Sequence, residues 1–416
     1  MISEIVAVGT ELVSGQALDT NSQWLSRSLA ALGIPVHFHT SVGDDLAENV
    51  EVLRIAAGRA DLVVTSGGLG PTQDDLTREA LAAVAGVPLV EDAGSLAAIA
   101  AMFARRNRPM VERNRVQALR PEGAEPIPNS CGSAPGIWMT VGRARVACLP
   151  GVPIELKAMF REGVEPRLRA LGAGSRFIVH RKINLFGRGE SEIEKDAFDL
   201  TARGRKPEVG ITASEATISF RITGEGATEA EASASLGPTV AAIYERFAPL
   251  IVGEGAEDVV DALIRALGRA GTTIAVAESC TGGLIAQQIT ARPDVSGVFP
   301  GGVVSYANAA KVDLLGVPPD LLARHGAVSA EVAEAMAVGV RNRFRAGVGL
   351  AVTGIAGPSG GTPEKPVGLV YLGLATAVAV ESRRLDLGPE QPREVIQRRS
   401  AKAAMNWARL EVQGVV

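Results

Sequence analysis

Short apolar runs alternate with helical patterns along the first 170 residues. The largely apolar runs at residues 5–8, 36–42 and 62–65 predict strands that are covered on both faces. The segments between them, such as residues 21–32 and 46–57, carry apolar positions at helical spacing. Strands that alternate with helices of this length predict βαβ units and a mainly parallel sheet.

The next segment has a different pattern. Residues 177–186 predict a strand, and residues 208–212 and 216–222 predict a hairpin, because Ile218, Phe220 and Ile222 alternate with polar residues. An Ala- and Glu-rich stretch at 228–247 predicts a long helix. The pattern therefore indicates a small α+β domain.

The last third returns to alternating strands and helices. An amphipathic helix at 258–267 is predicted to end at Gly268, and residues 273–277 and 349–352 predict buried strands. The predicted fold class is α/β: two α/β domains with mainly parallel sheets, joined by a small α+β domain. The predicted boundaries are residues 1–172, 173–253 and 254–416.

Composition narrows the classes of function. The 416 residues include 42 Lys and Arg against 46 Asp and Glu, a net charge of −4, which is not the basic footprint of a nucleic-acid-binding protein. The three cysteines and four histidines are scattered, so we expect neither a disulfide framework nor a zinc site. With no signal-peptide pattern and no apolar run near about 18 residues, we expect a cytoplasmic protein without a membrane partner.

The segment AESCTGG, residues 277–283, follows a predicted strand and opens a predicted helix. Ser279 is a candidate nucleophile there, and the amides of Thr281, Gly282 and Gly283 are candidate ligands of an oxyanion or a phosphate. Alternatively, Ser279 or Thr281 is merely an N-cap. Cys280 is a rival nucleophile, although a lone cysteine among apolar neighbours is more often a packed hydrophobe.

A serine nucleophile needs a base, and no histidine lies in a suitable turn. Lys311 ends the segment SYANAAK, which also crosses from a strand into a helix and contains Tyr306 and Asn308. A lysine acts as a base when burial lowers its pKa, whereas the alternative is an exposed helix lysine. Thr353 and Gly354 follow a third strand, so three strand ends can converge on one crevice; a flexible loop is the alternative.

The motifs AESCTGG, SYANAAK, HGAVS, TGIAGPSGG and EKPVG resemble the C-terminal domain of the competence/damage-inducible CinA family, a domain similar to nicotinamide mononucleotide (NMN) deamidases. The resemblance implies hydrolysis of the NMN carboxamide to nicotinic acid mononucleotide and ammonia, without a cofactor. It implies Ser279 as nucleophile and Lys311 as base, with Tyr306 and Thr353 lining the site. Arg398 falls near a family site arginine and is a candidate phosphate ligand, with Arg399 as the alternative register.

The first domain carries its own candidate site. Gly67, Gly68 and Gly70 follow a predicted strand, where glycines let the backbone approach a ligand closely. Asp74 and Asp75 open the next helix, as dipole-favoured caps or as ligands of a divalent metal such as Mg²⁺. Further acids at strand ends, which could share that metal, are Glu11, Asp44 and Asp45.

The segments VGTEL, VGDD and TSGGLGPTQDDLT are similar to the CinA N-terminal domain, which resembles molybdopterin-binding domains. The resemblance implies metal-dependent hydrolysis of ADP-ribose to AMP and ribose 5-phosphate. A bare nucleotide-binding domain and a molybdopterin-binding domain are the alternatives.

The middle domain resembles the KH-like connecting domain of CinA proteins. A nucleic-acid-binding KH module has a Gly-x-x-Gly clamp, from which Gly187-Arg188-Gly189-Glu190 departs, so a spacer or dimerisation role is favoured. The whole chain is interpreted as a bifunctional pyridine-nucleotide salvage enzyme, expected by resemblance to form a homodimer. The alternative is a non-catalytic competence or DNA-damage accessory that acts through protein partners, such as a recombination protein.

Overall fold

The computed structural model describes residues 1–174 and 176–415. The chain divides into two compact units, one of residues 1–179 with 224–235 and the other of residues 180–223 with 236–416. Most of the middle segment thus belongs to the same unit as the C-terminal third. No helix in the described part of the chain combines the length and the apolar character that crossing a membrane requires.

The main sheet of the first unit runs in the order β2-β1-β3-β8-β7-β6. Neighbours from β2 to β8 are parallel, whereas β7 pairs antiparallel with both β8 and β6. The strands of this region are β1 (Ser3–Val8), β2 (Val36–Val42), β3 (Leu62–Ser66), β4 (Leu89–Glu91), β5 (Leu119–Pro121), β6 (Glu125–Ile127), β7 (Gly136–Val141) and β8 (Ala144–Leu149).

Helices cover both faces of this sheet and bury Ile5, Val64 and Leu149. Asp19 and Asp45 cap two of them by accepting hydrogen bonds from backbone amides. A π-helical turn joins the last two helices. The helices are α1 (Thr10–Val13), α2 (Thr20–Ala31), α3 (Leu46–Arg59), α4 (Thr77–Ala85), α5 (Ala93–Arg105), α6 (Pro153–Met159) and α7 (Glu165–Ala170).

The middle segment forms a sheet in the order β10-β11-β9-β12. Ile218, Phe220 and Ile222 are buried as the alternation predicts, but Ser219 between them is buried too. Glu215 and Ala216 form the tip of the β10–β11 hairpin, both at positive φ. The elements are β9 (Phe177–Phe186), α8 (Glu190–Asp196), β10 (Glu208–Ser214), β11 (Thr217–Gly226), α9 (Glu229–Phe247) and β12 (Ile251–Glu254).

The sheet of the C-terminal third runs in the order β14-β13-β15-β16-β17, with the first three strands parallel and the last two antiparallel. Its elements are α10 (Val259–Ala270), β13 (Ile274–Glu278), α11 (Leu284–Thr290), β14 (Gly301–Val304), α12 (Asn308–Leu315), α13 (Pro319–His325), α14 (Ala330–Phe344), β15 (Val348–Gly354), β16 (Leu369–Ala375), β17 (Val380–Asp386) and α15 (Arg393–Val412).

The predicted end of the first helix of this region at Gly268 is wrong. Helix α10 continues to Ala270, and Gly271 terminates it in the left-handed conformation with φ of 59°. The α/β fold class is confirmed, with parallel strands on one side of each large sheet and antiparallel pairing on the other. The parallel strands β13, β14 and β15 end beside one another, and their ends position the candidate site described next.

Candidate active sites

The structure brings Ser279 and Lys311 together. Ser279 follows β13 directly, and Lys311 lies in the first turn of α12, after β14. The Nζ atom of Lys311 donates a hydrogen bond to the Oγ atom of Ser279 over 3.1 Å. Both side chains belong to buried residues, and Lys311 is only 1% exposed. The exposed-lysine alternative is therefore excluded.

Two backbone carbonyls complete the surroundings of the Lys311 amine. Nζ also donates to the carbonyl oxygen of Ser305 over 2.7 Å and to that of Tyr306 over 3.3 Å. Burial away from water disfavours the ammonium form and lowers the pKa of Lys311 from its usual range near 10.5. A buried amine with a lowered pKa is the form of lysine that can accept a proton.

Glu278 is a functional residue that the sequence reasoning missed. Its fully buried carboxylate accepts hydrogen bonds from the amide of Gly283, just before α11, and from those of Ile285 and Ala286 in the first turn of α11. The amide of Gly282 donates to the carbonyl of Ser279 over 3.1 Å. The prediction that the Gly282 and Gly283 amides are open to a ligand is therefore wrong, because protein oxygens already occupy both.

The alternative roles of this turn are also resolved. The N-cap residue of α11 is Gly283, so neither Ser279 nor Thr281 is the N-cap of this helix. Cys280 is buried, and desolvation raises the pKa of its thiol to about 12. The reactive thiolate is therefore scarce at neutral pH. The carbonyl of Cys280 accepts a hydrogen bond from Gln397 of α15 over 2.8 Å.

Two buried hydroxyls beside this pair lack partners. The Oγ1 atom of Thr281 and the Oγ atom of Ser305 make no hydrogen bond within the part of the chain that the structure describes. Thr353 differs, since its hydroxyl donates to the carbonyl of Ala327 over 2.7 Å and ties β15 to the neighbouring loop. An unpaired buried hydroxyl costs free energy that a bound ligand can recover.

Tyr306 and Arg393 lie at the exposed side of the site. Tyr306 is 61% exposed, and its hydroxyl accepts a hydrogen bond from Arg393 over 3.0 Å. Arg393 begins α15 and also donates to the carbonyl of Gly357, in the loop after β15. Asn308, the first residue of α12, is exposed.

The structure places Arg398 elsewhere. Its Nε atom lies 3.1 Å from a carboxylate oxygen of Glu215 at the hairpin tip, and its neighbour Arg399 is partly buried on the same helix. The arginine that the structure brings to Tyr306 is Arg393, a shift that the local sequence did not reveal. Gly354 pairs with Val370, and a Cβ atom there would lie 2.8 Å from the Leu369 carbonyl, so close strand pairing requires this glycine.

The first domain has a cavity of about 430 Å³ where β1, β3 and β8 end. The glycine turn after β3 forms one wall. Gly67 and Gly68 have positive φ values of 113° and 67°, and Cβ atoms there would collide with Val8 and Thr77. The carboxylates that line the cavity belong to Glu11, Asp44, Asp74, Asp75 and Glu155.

Arg78 holds the glycine turn in place. Its guanidinium is buried and donates to the carbonyls of Leu69 and Gly70 over 2.8 and 2.7 Å. Burial lowers the pKa of Arg78, with nearby Glu79 and Asp75 opposing the shift. The sequence offered no signal for this role beyond a charged residue in a helical pattern.

Several carboxylates of this cavity have local partners. Asp44 accepts hydrogen bonds from the amide and hydroxyl of Thr10 over 2.9 and 2.7 Å, and Asp75 accepts from the amide of Thr72 over 2.8 Å. Asp74 is exposed, and a hydrogen bond from Thr72 lowers its pKa. Within residues 1–174 and 176–415, no group of three or more His, Cys, Asp or Glu side chains is arranged to hold a metal ion.

The chain is thus an α/β protein with a buried Ser–Lys pair at one sheet and a carboxylate-lined cavity at another. Its sequence matches the families described as "CinA C-terminal domain" over residues 256–412, "Damage-inducible protein CinA KH domain" over 180–253 and "Probable molybdopterin binding domain" over 4–170. A CinA-like protein of Gloeobacter violaceus is 42% identical over 99% of this chain and 96% of its own length. The chain belongs to the CinA family.

Further relatives include a CinA-like protein of Dictyoglomus thermophilum, 42% identical over 94% of this chain and 95% of the relative. Among solved structures, competence/damage inducible protein CihA from Agrobacterium tumefaciens is 38% identical and covers 37% of this chain and 93% of its own, with a TM-score of 0.36. The protein CinA of unknown function from Thermoplasma acidophilum is 35% identical and covers 40% of this chain and 96% of its own, with a TM-score of 0.37.

Proposed function

We propose that the C-terminal domain hydrolyses the carboxamide of NMN to nicotinic acid mononucleotide and ammonia. The observation that carries the proposal is the buried hydrogen bond between Lys311 and Ser279. An activated serine is one of the nucleophiles that can attack an amide carbon. Membership of the CinA family supports the substrate class.

The geometry around Lys311 supports its role as the base. Of its three hydrogen-bond partners, two are carbonyls that only accept, whereas the Ser279 hydroxyl can also donate. When the amine is neutral, its two remaining hydrogens stay hydrogen-bonded to the carbonyl oxygens of Ser305 and Tyr306. The lone pair then faces the hydroxyl of Ser279.

The reaction follows in two halves. The Oγ atom of Ser279 attacks the carboxamide carbon while Lys311 takes the hydroxyl proton, and Lys311 returns that proton to the leaving nitrogen as the C–N bond breaks and ammonia departs. Water then attacks the acyl-serine ester with Lys311 again as the base, which frees the carboxylate and restores Ser279. The unpaired hydroxyl of Thr281 is our candidate donor to the oxyanion.

The substrate's phosphate needs a cation, and we assign it to Arg393. This residue lies at the exposed side of the site, where it contacts the hydroxyl of Tyr306. Arg398 is less suited, because Glu215 already neutralises it. We further propose that Tyr306, Asn308 and Thr353 line the substrate pocket.

A second proposal concerns the first domain: hydrolysis of ADP-ribose to AMP and ribose 5-phosphate. The cavity favours it by combining a glycine turn with five carboxylates. A diphosphate would be repelled by those carboxylates unless a divalent cation separated the charges. The donors do not form a complete protein cage, but they fit Mg²⁺, which one or two carboxylates hold together with substrate phosphates.

In this proposal Asp74 and Asp75 are the first candidates to hold the cation, with Asp44 and Glu11 nearby in the cavity wall. The bound metal would supply charge neutralisation and an activated water. The chain's own contribution is the glycine turn, which Arg78 fixes beside the cavity. We also propose a homodimer, which rests on the family resemblance, and a cytoplasmic location, which rests on the sequence pattern.

The two activities are tested by product analysis of the purified full chain. NMN should yield equal amounts of ammonia and nicotinic acid mononucleotide, whether or not a chelator is present. ADP-ribose should yield AMP and ribose 5-phosphate with Mg²⁺, and excess EDTA should abolish that reaction. If neither substrate is converted, the accessory-protein alternative replaces the enzymatic account.

A further inference from the structure

A second cavity, of about 610 Å³, lies beside the carboxylate-lined cavity of the first domain. One face of α5 forms one side of it, and the chain from Pro126 to Pro135 forms the other. Ser133 lines both cavities, so the two adjoin. The residues that matter for its character are Ala98, Ile99, Met102, Arg105, Arg106, Pro126, Pro128 and Pro135.

Asn129 forms part of the wall between the two cavities. It lines the second cavity, and its Nδ2 atom donates to Glu155 over 2.7 Å and to the carbonyl of Ala134 over 2.9 Å. Both acceptors line the first cavity. Gly132 packs tightly against the same Glu155, since a Cβ atom there would lie 2.0 Å from its carboxylate. One short loop therefore separates the two spaces.

The second cavity is chemically unlike the first. Its walls combine aliphatic side chains and prolines with serines, Asn129 and two arginines, and the aliphatic part suits the face of a flat ring. The one acidic residue among the described residues of its wall is Asp92, whose carboxylate lies 3.3 Å from the guanidinium of Arg120, which neutralises its charge. In the described parts of the chain, the side chains of Arg105 and Arg106 have no hydrogen bond or ion pair, so the unpaired charge here is positive. Guanidinium groups attract both aromatic faces and phosphates.

We propose that this second cavity binds the purine base of a dinucleotide-type substrate whose diphosphate occupies the first cavity. The inference rests on the ADP-ribose hydrolysis proposed above. It identifies the purine base as the part of the substrate that strengthens its binding. The carboxylate-lined cavity then holds the bond to be cleaved, and the second cavity selects substrates that carry a base. A diphosphate without a base would fill only the first cavity.

The test uses a bulky side chain on α5 with a matched control. Ala98 and Ala97 are exposed neighbours on that helix, but only Ala98 belongs to the cavity wall. Ala98→Trp should raise the KM for ADP-ribose by about tenfold or more, because the indole would occupy the space of the base and remove its share of the binding free energy. Ala97→Trp should leave the KM unchanged, and Ala98→Leu should have an intermediate effect. Circular dichroism confirms that each variant is folded.

A binding measurement separates this inference from the proposed activity. AMP should bind the parent, measured by calorimetry with Mg²⁺, and bind about tenfold more weakly to Ala98→Trp than to Ala97→Trp. Inorganic pyrophosphate should bind all three proteins equally. ADP-ribose hydrolysis that is equal in both tryptophan variants overturns the base site and leaves the activity standing. If the parent does not hydrolyse ADP-ribose but Ala98→Trp still weakens AMP binding, the base site is supported and the proposed activity is overturned. If AMP does not bind the parent, or binds Ala98→Trp equally well, the base site is overturned.

Discussion

The Nζ atom of Lys311 lies 3.1 Å from the Oγ atom of Ser279, although 32 positions separate the two residues in the chain. Each follows the end of a parallel strand, and β13 and β14 are direct neighbours in the sheet. The sheet therefore delivers both side chains to one point. No carboxylate hydrogen-bonds to the lysine in the described part of the chain, so burial keeps its pKa lowered.

The rate of NMN deamidation should rise with pH. The neutral amine of Lys311 is the proton acceptor, and its fraction grows as the pH approaches the pKa that burial has lowered below 10.5. We expect kcat/KM to increase between about pH 6 and pH 9, because protonation inactivates the base at the acidic end. A flat or falling profile over that range would argue against Lys311 as the base.

Cys280→Ala should retain most of the deamidase activity. The thiol has a pKa raised to about 12, so it is protonated at neutral pH and does not compete with Ser279. We expect kcat within about threefold of the parent and a stability loss of about 1 kcal/mol from the small cavity. Loss of ammonia release in this variant, with the fold intact by circular dichroism, would identify Cys280 as the nucleophile.

Glu278→Gln should destabilise the C-terminal domain. The glutamate accepts hydrogen bonds from three amides at the start of α11, and a glutamine would turn an NH₂ group toward one or more of these donors. We expect a loss of roughly 2–4 kcal/mol in the free energy of unfolding, measured by urea denaturation, and a lower kcat. Glu381→Gln, on the exposed edge strand β17, is the control and should be nearly neutral. Equal stabilities of the two variants would contradict the role of Glu278.

Arg393→Ala and Arg398→Ala should differ in their effect on NMN. Arg393 contacts Tyr306 at the site, whereas Arg398 lies against Glu215. Loss of a charge-assisted hydrogen bond to the phosphate should raise the KM of Arg393→Ala by about tenfold or more. The KM of Arg398→Ala should stay within about twofold of the parent, because a half-exposed ion pair contributes little. A larger rise in KM for Arg398→Ala than for Arg393→Ala would identify Arg398, the residue predicted from the sequence, as the phosphate ligand.

The sequence predicts best those site residues that follow the ends of buried strands. Buried strands have a strong local pattern, and polar residues that follow parallel strands meet at one edge of the sheet. Ser279, Lys311 and Thr353 were placed on such ends for that reason, and the structure brings Ser279 and Lys311 into contact. The α/β class followed from the same alternation.

Side-chain partners were harder to predict, because they depend on tertiary contacts rather than local pattern. Arg393 and Arg398 occupy one helix, and only the docking of α15 decides which meets Tyr306 and which meets Glu215. The helix-start amides looked open in the sequence, but the carboxylate of Glu278 folds back onto them. The edge strand β17 was also missed, since its largely exposed residues give no apolar alternation.

The central claim is that Ser279 attacks the NMN carboxamide with Lys311 as its base. The most direct measurement is ammonia release from NMN by the parent, Ser279→Ala and Lys311→Met, each verified as folded by circular dichroism. We predict release by the parent, a fall of at least about a thousandfold in Ser279→Ala and at least about a hundredfold in Lys311→Met. Parental release that persists undiminished in folded Ser279→Ala would contradict the claim.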